Sequence, residues 1–193
     1  MKVLVACEFS QIVTKSFRDK GHEAFSCDIL PTEGNPDWHY KCDISKVIGN
    51  GWDLMIAHPP CTYLSNSGVR WLYEQEGRKG KMILGAKWFK TLLDCNIPKI
   101  AIENPIMHKY AVDIIGRRQD QIIHPWMFGE NESKAVCLWL KNLPKLEAEV
   151  LIKPEKIEQR VWKMGPSPER QKERSRFFKG IADAMAAQWG NEK

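Results

Sequence analysis

Cys61 follows two prolines in HPPCTYLS, and Glu103 leads Asn104 and Pro105 in IENP. A thiolate is a strong side-chain nucleophile, and a carboxyl that holds a proton can hand it to the group under attack. Facing one crevice, the two would support covalent attack assisted by proton donation. Pro59 and Pro60 lack backbone donors and fix φ, so the segment carrying Cys61 leaves along one extended path. Each residue also has a plainer reading. A lone cysteine is most often a small buried hydrophobe, and Glu-Asn-Pro can simply close a strand and open a turn or helix.

The elements that must position this pair are legible as alternating strands and helices. KVLVAC (2–7) reads as a buried strand, QIVTKSFRDKG (11–21) as a helix closed by Gly21, and HEAFSCDI (22–29) as a second strand. WHYKCDI (38–44) offers a short third strand and WDLMIA (52–57) a fourth, which ends at HPPC. KMILGAKWFKTLLD (81–94) has helical spacing and precedes the strand PKIAIE (98–103). KAVCLWL (134–140) reads as a further strand and RFFKGIADAMAAQWG (176–190) as an amphipathic helix ended by Gly190. The interval from Cys61 to Glu103 suits one strand-helix-strand crossover, which needs about thirty residues or more.

Apolar strands joined by long crossovers predict an α/β fold: a Rossmann-like, doubly wound, mostly parallel sheet with helices on both faces and the last strand antiparallel. Ligands of such sheets bind beyond the carboxyl ends of the strands. Cys7, Glu8, Phe9 and Ser10 stand after the first strand, Asp28 after the second, Asp43 after the third and Pro59, within HPPC, after the fourth. An acidic side chain after the second strand is placed to accept hydrogen bonds from ribose hydroxyls, which suits Asp28; it could equally be a turn aspartate before Pro31. Asp43 could equally cap a following helix.

Composition sets outer bounds. The chain has 193 residues, 43% hydrophobic and 27% charged, which predicts one domain over 1–193. A formal net charge of +5 permits an anionic partner without demanding one. Glu8 interrupts the first apolar run, and no later run approaches the length of a membrane span, so a soluble, cytoplasmic protein is expected, with no membrane partner. Six scattered cysteines point to reduced thiols. His58 and Cys61 stand at a ligand-like spacing, but no further ligands are grouped nearby, and no metal is expected.

The residues around Cys61 and Glu103 resemble the DNA cytosine methyltransferases that modify carbon 5. That family carries Pro-Cys in a P-C-x-x-x-S context after the fourth strand, here Pro60, Cys61 and Ser65, and Glu-Asn after the fifth, here Glu103 and Asn104. The likeness extends to the first loop, Asp28, Asp43 and, more loosely, RSRFFKGIADAMAAQW (174–189). It is similar in particular to compact DNA methylases often carried by phages, which implies action in a bacterial or phage-infected cell. The resemblance implies S-adenosylmethionine as cofactor, held by Ala6, Cys7, Glu8, Phe9, Asp28, Asp43 and Pro59. It implies DNA as partner, single- or double-stranded, with Cys61 adding to carbon 6 of cytosine and Glu103, kept protonated by an apolar crevice, serving N3. Pro60, Ser65, Asn104, Lys134, Arg174 and Arg176 would meet the substrate.

The chain also departs from that pattern. VACEFSQI replaces a glycine-rich first loop, Pro105 replaces a valine, and GENESKAVCLWL stands where a Gln-x-Arg-x-Arg segment would lie. The stretch before the basic ERQKERSRFF is too short for a separate recognition domain, leaving 141–176 as a short substrate-contacting insertion. Arg170, Lys172, Arg174 and Arg176 could contact phosphates, and Trp162 or Trp71 could stack on a base, or the basic run could be a solvated helix start. Two further readings stay open: cytosine modification on a free nucleotide, and a non-catalytic nucleic-acid-binding protein.

Overall fold

In the computed structural model, residues 1–158 and 176–191 are described. Among them, seven strands form one sheet: β1 (Lys2–Ala6), β2 (Glu23–Asp28), β3 (His39–Lys41), β4 (Leu54–Ala57), β5 (Lys99–Asn104), β6 (Gln121–Ile123) and β7 (Val136–Lys141). Their order is β3-β2-β1-β4-β5-β7-β6. The β1–β2, β1–β4, β2–β3 and β4–β5 pairs are parallel, while β7 runs antiparallel to both β5 and β6. This is the Rossmann-like, doubly wound, mostly parallel sheet expected from the sequence, with KAVCLWL as the reversed strand.

Alternation along the strands splits the core into two layers. Val3, Val5, Leu54, Ile56, Ala101, Val136 and Leu138 pack beneath α1 (Ile12–Asp19) and a C-terminal helix, Lys179–Trp189. Leu4, Ala6, Met55, Ala57, Ile100, Ile102 and Trp139 turn the other way, toward the helices Arg78–Asp94 and Lys109–Ile115. In chain order the helices are α1, α2 (Trp71–Glu74), α3 (Arg78–Asp94), α4 (Lys109–Ile115) and α5 (Lys179–Trp189). Strands covered on both faces need apolar residues at every position, which explains why β1 and β4 read as unbroken apolar runs. Across the second layer, the Phe89 and Trp139 rings meet edge to face with centroids 5.0 Å apart, a favoured aromatic geometry.

Strands β1, β2, β4 and β5 all point their carboxyl ends the same way, so their exit loops share one rim. No helix among the described residues is long and apolar enough to cross a membrane. Arg174 and Trp162, with Arg170 and Lys172, lie outside the described residues, as does most of the C-terminal half of 141–176.

Candidate active site at the strand tips

The loops that leave β4 and β5 are bound together along their length. The parallel register sets Ala57 opposite Ile102, so His58 and Glu103 follow as neighbours, and the His58 amide extends the ladder by donating to the Ala6 carbonyl at 2.9 Å. The Asn104 amide donates to the Pro59 carbonyl at 2.8 Å. Further out, Asn66 N–H donates to the Ile106 carbonyl and His108 N–H to the Leu64 carbonyl, at 2.8 and 3.1 Å, around a bridge between Ser65 and Met107. His108 locks this pairing: its Nδ1 accepts from the Ala111 amide at the start of α4, which leaves the ring proton on Nε2 to donate to the Tyr63 carbonyl at 3.0 Å.

Within that clasp Pro59 is buried and Pro60 exposed. Cys61 is half-buried, and its carbonyl accepts from the Leu64 and Ser65 amides, a tight turn made by the residues that follow the prolines. Ser65 shares a 2.7 Å hydrogen bond with the Ser67 hydroxyl.

Glu103 is buried, and its Oε2 lies 3.4 Å from His58 Nδ1. Its Oε1 has no hydrogen-bond partner among the described residues, nor do His58 Nε2 and Asn104 Oδ1. Buried polar atoms are rarely left so, and here three of them belong to residues at the tips of β4 and β5. Burial pushes the Glu103 carboxyl up, but the hydrogen bond from His58, the Lys134 ammonium and the His58 charge together outweigh it and hold the group below the usual carboxylate range. The expectation that an apolar crevice keeps Glu103 protonated is therefore corrected: the crevice holds cations as well as apolar groups. Glu103 in turn acts on Cys137, whose thiol is pushed up to about 11 by burial and by that charge.

The C-terminal segment closes over the same point. The Phe177 ring lies 4.6 Å from the His58 ring, and Lys134 sits over the Phe178 ring at 5.6 Å. Arg176 is ion-paired to Glu33 at 2.9 Å, an acceptor in the loop beyond β2.

The first loop solves its lack of glycine with two residues in the left-handed region, Cys7 at φ 60° and Gln11 at φ 58°. Glu8 is buried and turned onto α1, accepting from the Val13 and Thr14 amides and the Thr14 hydroxyl. Its carboxylate serves the helix rather than the rim. Gln11 likewise turns inward, to Ser26 and Asn35. Phe9 is buried, and its carbonyl accepts from the Glu33 amide and the Thr32 hydroxyl.

Cys7, Asp28 and Asp43 come together at the tips of β1, β2 and β3. Burial raises the Cys7 thiol far above its ordinary range, followed by the charges of Asp28, Cys27 and Asp43. Asp28 also accepts from the Leu30 amide. Asp43 accepts from the Ser45 amide at the start of a short 3₁₀ turn, so its capping role is real. Ala6 ends β1 and is fully buried.

Sequence reasoning missed His58 as the partner of Glu103. Its position, one residue past β4 and in register with Glu103, was the available signal. Among the described residues no group of three or more His, Cys, Asp or Glu could hold a metal ion.

No family model matches the chain, and no curated protein matches it. Solved structures do. A protein described as a DNA modification methyltransferase encoded within an E. coli prophage is 11% identical, at a TM-score of 0.45 over 72% of this chain and 45% of that one. The Entamoeba histolytica methyltransferase EhMeth is 17% identical, at 0.45 over 86% of this chain and 60% of that one. The S. pombe Dnmt2 methyltransferase is 14% identical, at 0.43 over 88% and 61%. The chain thus spans roughly half to three-fifths of the length of these structures.

Proposed function

We propose that this protein transfers a methyl group from S-adenosylmethionine to carbon 5 of cytosine in DNA, with Cys61 as the nucleophile. The observation that carries the reading is the clasp between the β4 and β5 exit loops. It ties the backbone two residues before Cys61 to the residue after Glu103, a buried carboxyl with one oxygen unpartnered among the described residues.

A pyrimidine offers such a site two complementary points: an electrophilic carbon 6 for a thiolate, and a ring nitrogen for an acid. The Cys61 sulfur bonds to carbon 6, and the electron pair of the 5,6 double bond moves to carbon 5. A proton passed from Glu103 to N3 neutralises charge that would otherwise build on the ring. After carbon 5 has been methylated, its proton is lost to water, the double bond re-forms, the thiolate leaves and N3 gives its proton back to Glu103. A free thiol is only a few per cent ionised near neutrality, so placement in the clasp supplies much of the advantage. Within a duplex the base must also leave the stack, at a cost of a few kcal/mol.

Asp28, Asp43 and Cys7 fit the cofactor: two carboxylates beside one another at adjacent strand tips can accept from ribose hydroxyls and an ammonium. When bound there, S-adenosylmethionine supplies an electrophilic methyl group on a sulfonium. The left-handed turn at Cys7 keeps the backbone path a glycine would take.

The test is label transfer from methyl-labelled S-adenosylmethionine to DNA, repeated with Cys61→Ala. Transfer in the wild type and a loss of about 10³-fold or more in the variant are expected. DNA containing 5-fluorocytosine should trap a denaturation-resistant adduct at Cys61, because fluorine cannot leave as the ring proton does. Label that reaches only deoxycytidine nucleotides, or DNA methylated equally by Cys61→Ala, would overturn the reading.

A further inference from the structure

The reaction proposed above needs a proton at N3, yet Glu103 is surrounded by groups that favour its ionised form. The titratable groups facing the pair come from four elements. Glu8, in the loop after β1, has its carboxyl pushed up by burial, an effect the charge of His58 opposes. His58 extends β4, and Glu103 lies on β5. Lys134 precedes β7 and acts on Glu103 through its charge, while Cys137, on β7, is affected by Glu103. Of these, His58 is the group in contact with the carboxylate, at 3.4 Å.

The pair is shielded from water. The His58 and Glu103 side chains are 9% and 11% exposed, Phe177 lies against the imidazole, and both outer atoms, Nε2 and Oε1, have no hydrogen-bond partner among the described residues.

Resting on the cytosine reading, we propose that His58 is a positioning residue that stores the catalytic proton: it holds the proton at Nδ1 and delivers it through Glu103 to N3 of the base. The Nδ1–H bond breaks as a bond forms to Oε2, leaving a neutral imidazole and a carboxylic acid. Rotation about the Glu103 Cγ–Cδ bond turns that acid toward the base. As the Cys61 sulfur bonds to carbon 6, the O–H bond breaks and N3–H forms, so the carboxylate returns. On elimination of the thiolate, N3 returns the proton by the same route, and the count of protons over a turnover is unchanged. A histidine suits this storage because its ordinary titration lies near neutrality.

His58→Asn separates storage from mere placement, since an asparagine amide can hold Oε2 but cannot carry a titrating proton. In the wild type, kcat/KM for DNA methylation should hold to a higher pH than in His58→Asn. The variant should lose about tenfold per pH unit as pH rises, as a one-proton requirement dictates. A wild-type profile in His58→Asn, or an equal loss at every pH, would overturn the proposal. In parallel, the full chain labelled with ¹⁵N-histidine reports the His58 ring directly, its signal assigned by absence in His58→Asn. Its Nδ1 signal should carry the signature of a proton shared with a carboxylate and lose it in Glu103→Gln; the same ring signal in both proteins would overturn the stored proton whatever the activity. Absence of methyl transfer by the wild type at every pH would instead overturn the reaction itself, while the resonance still shows whether the two residues share a proton.

Discussion

The Asn104 side chain donates a 2.8 Å hydrogen bond to the Pro59 carbonyl, and so ties the residue after Glu103 to the residue two before Cys61. A proline carbonyl has no helix or ladder partner at that point, and both residues are buried. Removing the amide leaves an acceptor buried and unpaired, which costs about 1–3 kcal/mol. Asn104→Ala should lower the thermal midpoint accordingly and slow adduct formation between Cys61 and 5-fluorocytosine DNA. A variant that melts earlier yet forms adduct at the wild-type rate would show the tie to be structural alone.

Glu103 has a definite pH signature. Its folded-state affinity for protons is lowered by His58 and Lys134 despite its burial. A carboxyl with a depressed pKa contributes stability that is present above its unfolded value, near about 4.3, and is lost as pH falls through the folded value. Urea denaturation of the wild type should therefore steepen in pH dependence below about pH 5. Glu103→Gln should be less stable than the wild type near neutrality, and the difference should narrow as the medium becomes acid. A gap that stays constant with pH would mean that the carboxyl is not held ionised.

Glu8 caps α1 from outside the helix. The N-cap residue Gln11 is left-handed and gives α1 no side-chain cap, since its amide is committed to Ser26 and Asn35. The Val13 and Thr14 amides and the Thr14 hydroxyl depend on Glu8 instead. Glu8→Ala would strand these donors beneath the first loop, with an expected cost of about 2–4 kcal/mol in urea denaturation. Glu8→Gln keeps an acceptor and should recover part of that loss; equal losses in the two variants would place the effect in charge rather than capping.

These residues also mark the boundary of what the sequence discloses. Strands β1, β4 and β5 are buried on both faces, so they appear as apolar runs, and the loop residues at their tips can be counted off directly. By contrast β6 is three residues at the sheet edge, Gln121–Ile123, too short to show a period, and α4, Lys109–Ile115, is announced mainly by its cap, His108. Side-chain direction was hidden in the same way. Glu8 stands at a strand tip like a ligand residue but turns to the helix behind it, while His58, noticed only as a neighbour of Cys61, meets a carboxyl 45 residues away. Such choices depend on which partner the fold brings within reach, and neither composition nor spacing encodes that.

Cys7 tests whether the glycine-poor loop is a working cofactor loop. At φ 60° a side chain with Cβ is strained by about 1–2 kcal/mol, whereas glycine adopts the conformation freely. The strain relieved in Cys7→Gly is offset by the added freedom of the unfolded chain and by loss of the packed thiol, so a net stability change within about 1 kcal/mol is expected. Cys7→Val places a β-branched side chain in the same left-handed turn and should cost more. If the backbone path rather than the thiol receives S-adenosylmethionine, calorimetry should show Cys7→Gly binding it at least as tightly as the wild type. A tenfold or greater loss of affinity would show that the Cys7 side chain is itself a contact, and that this loop holds the cofactor in a different way from a glycine-rich one.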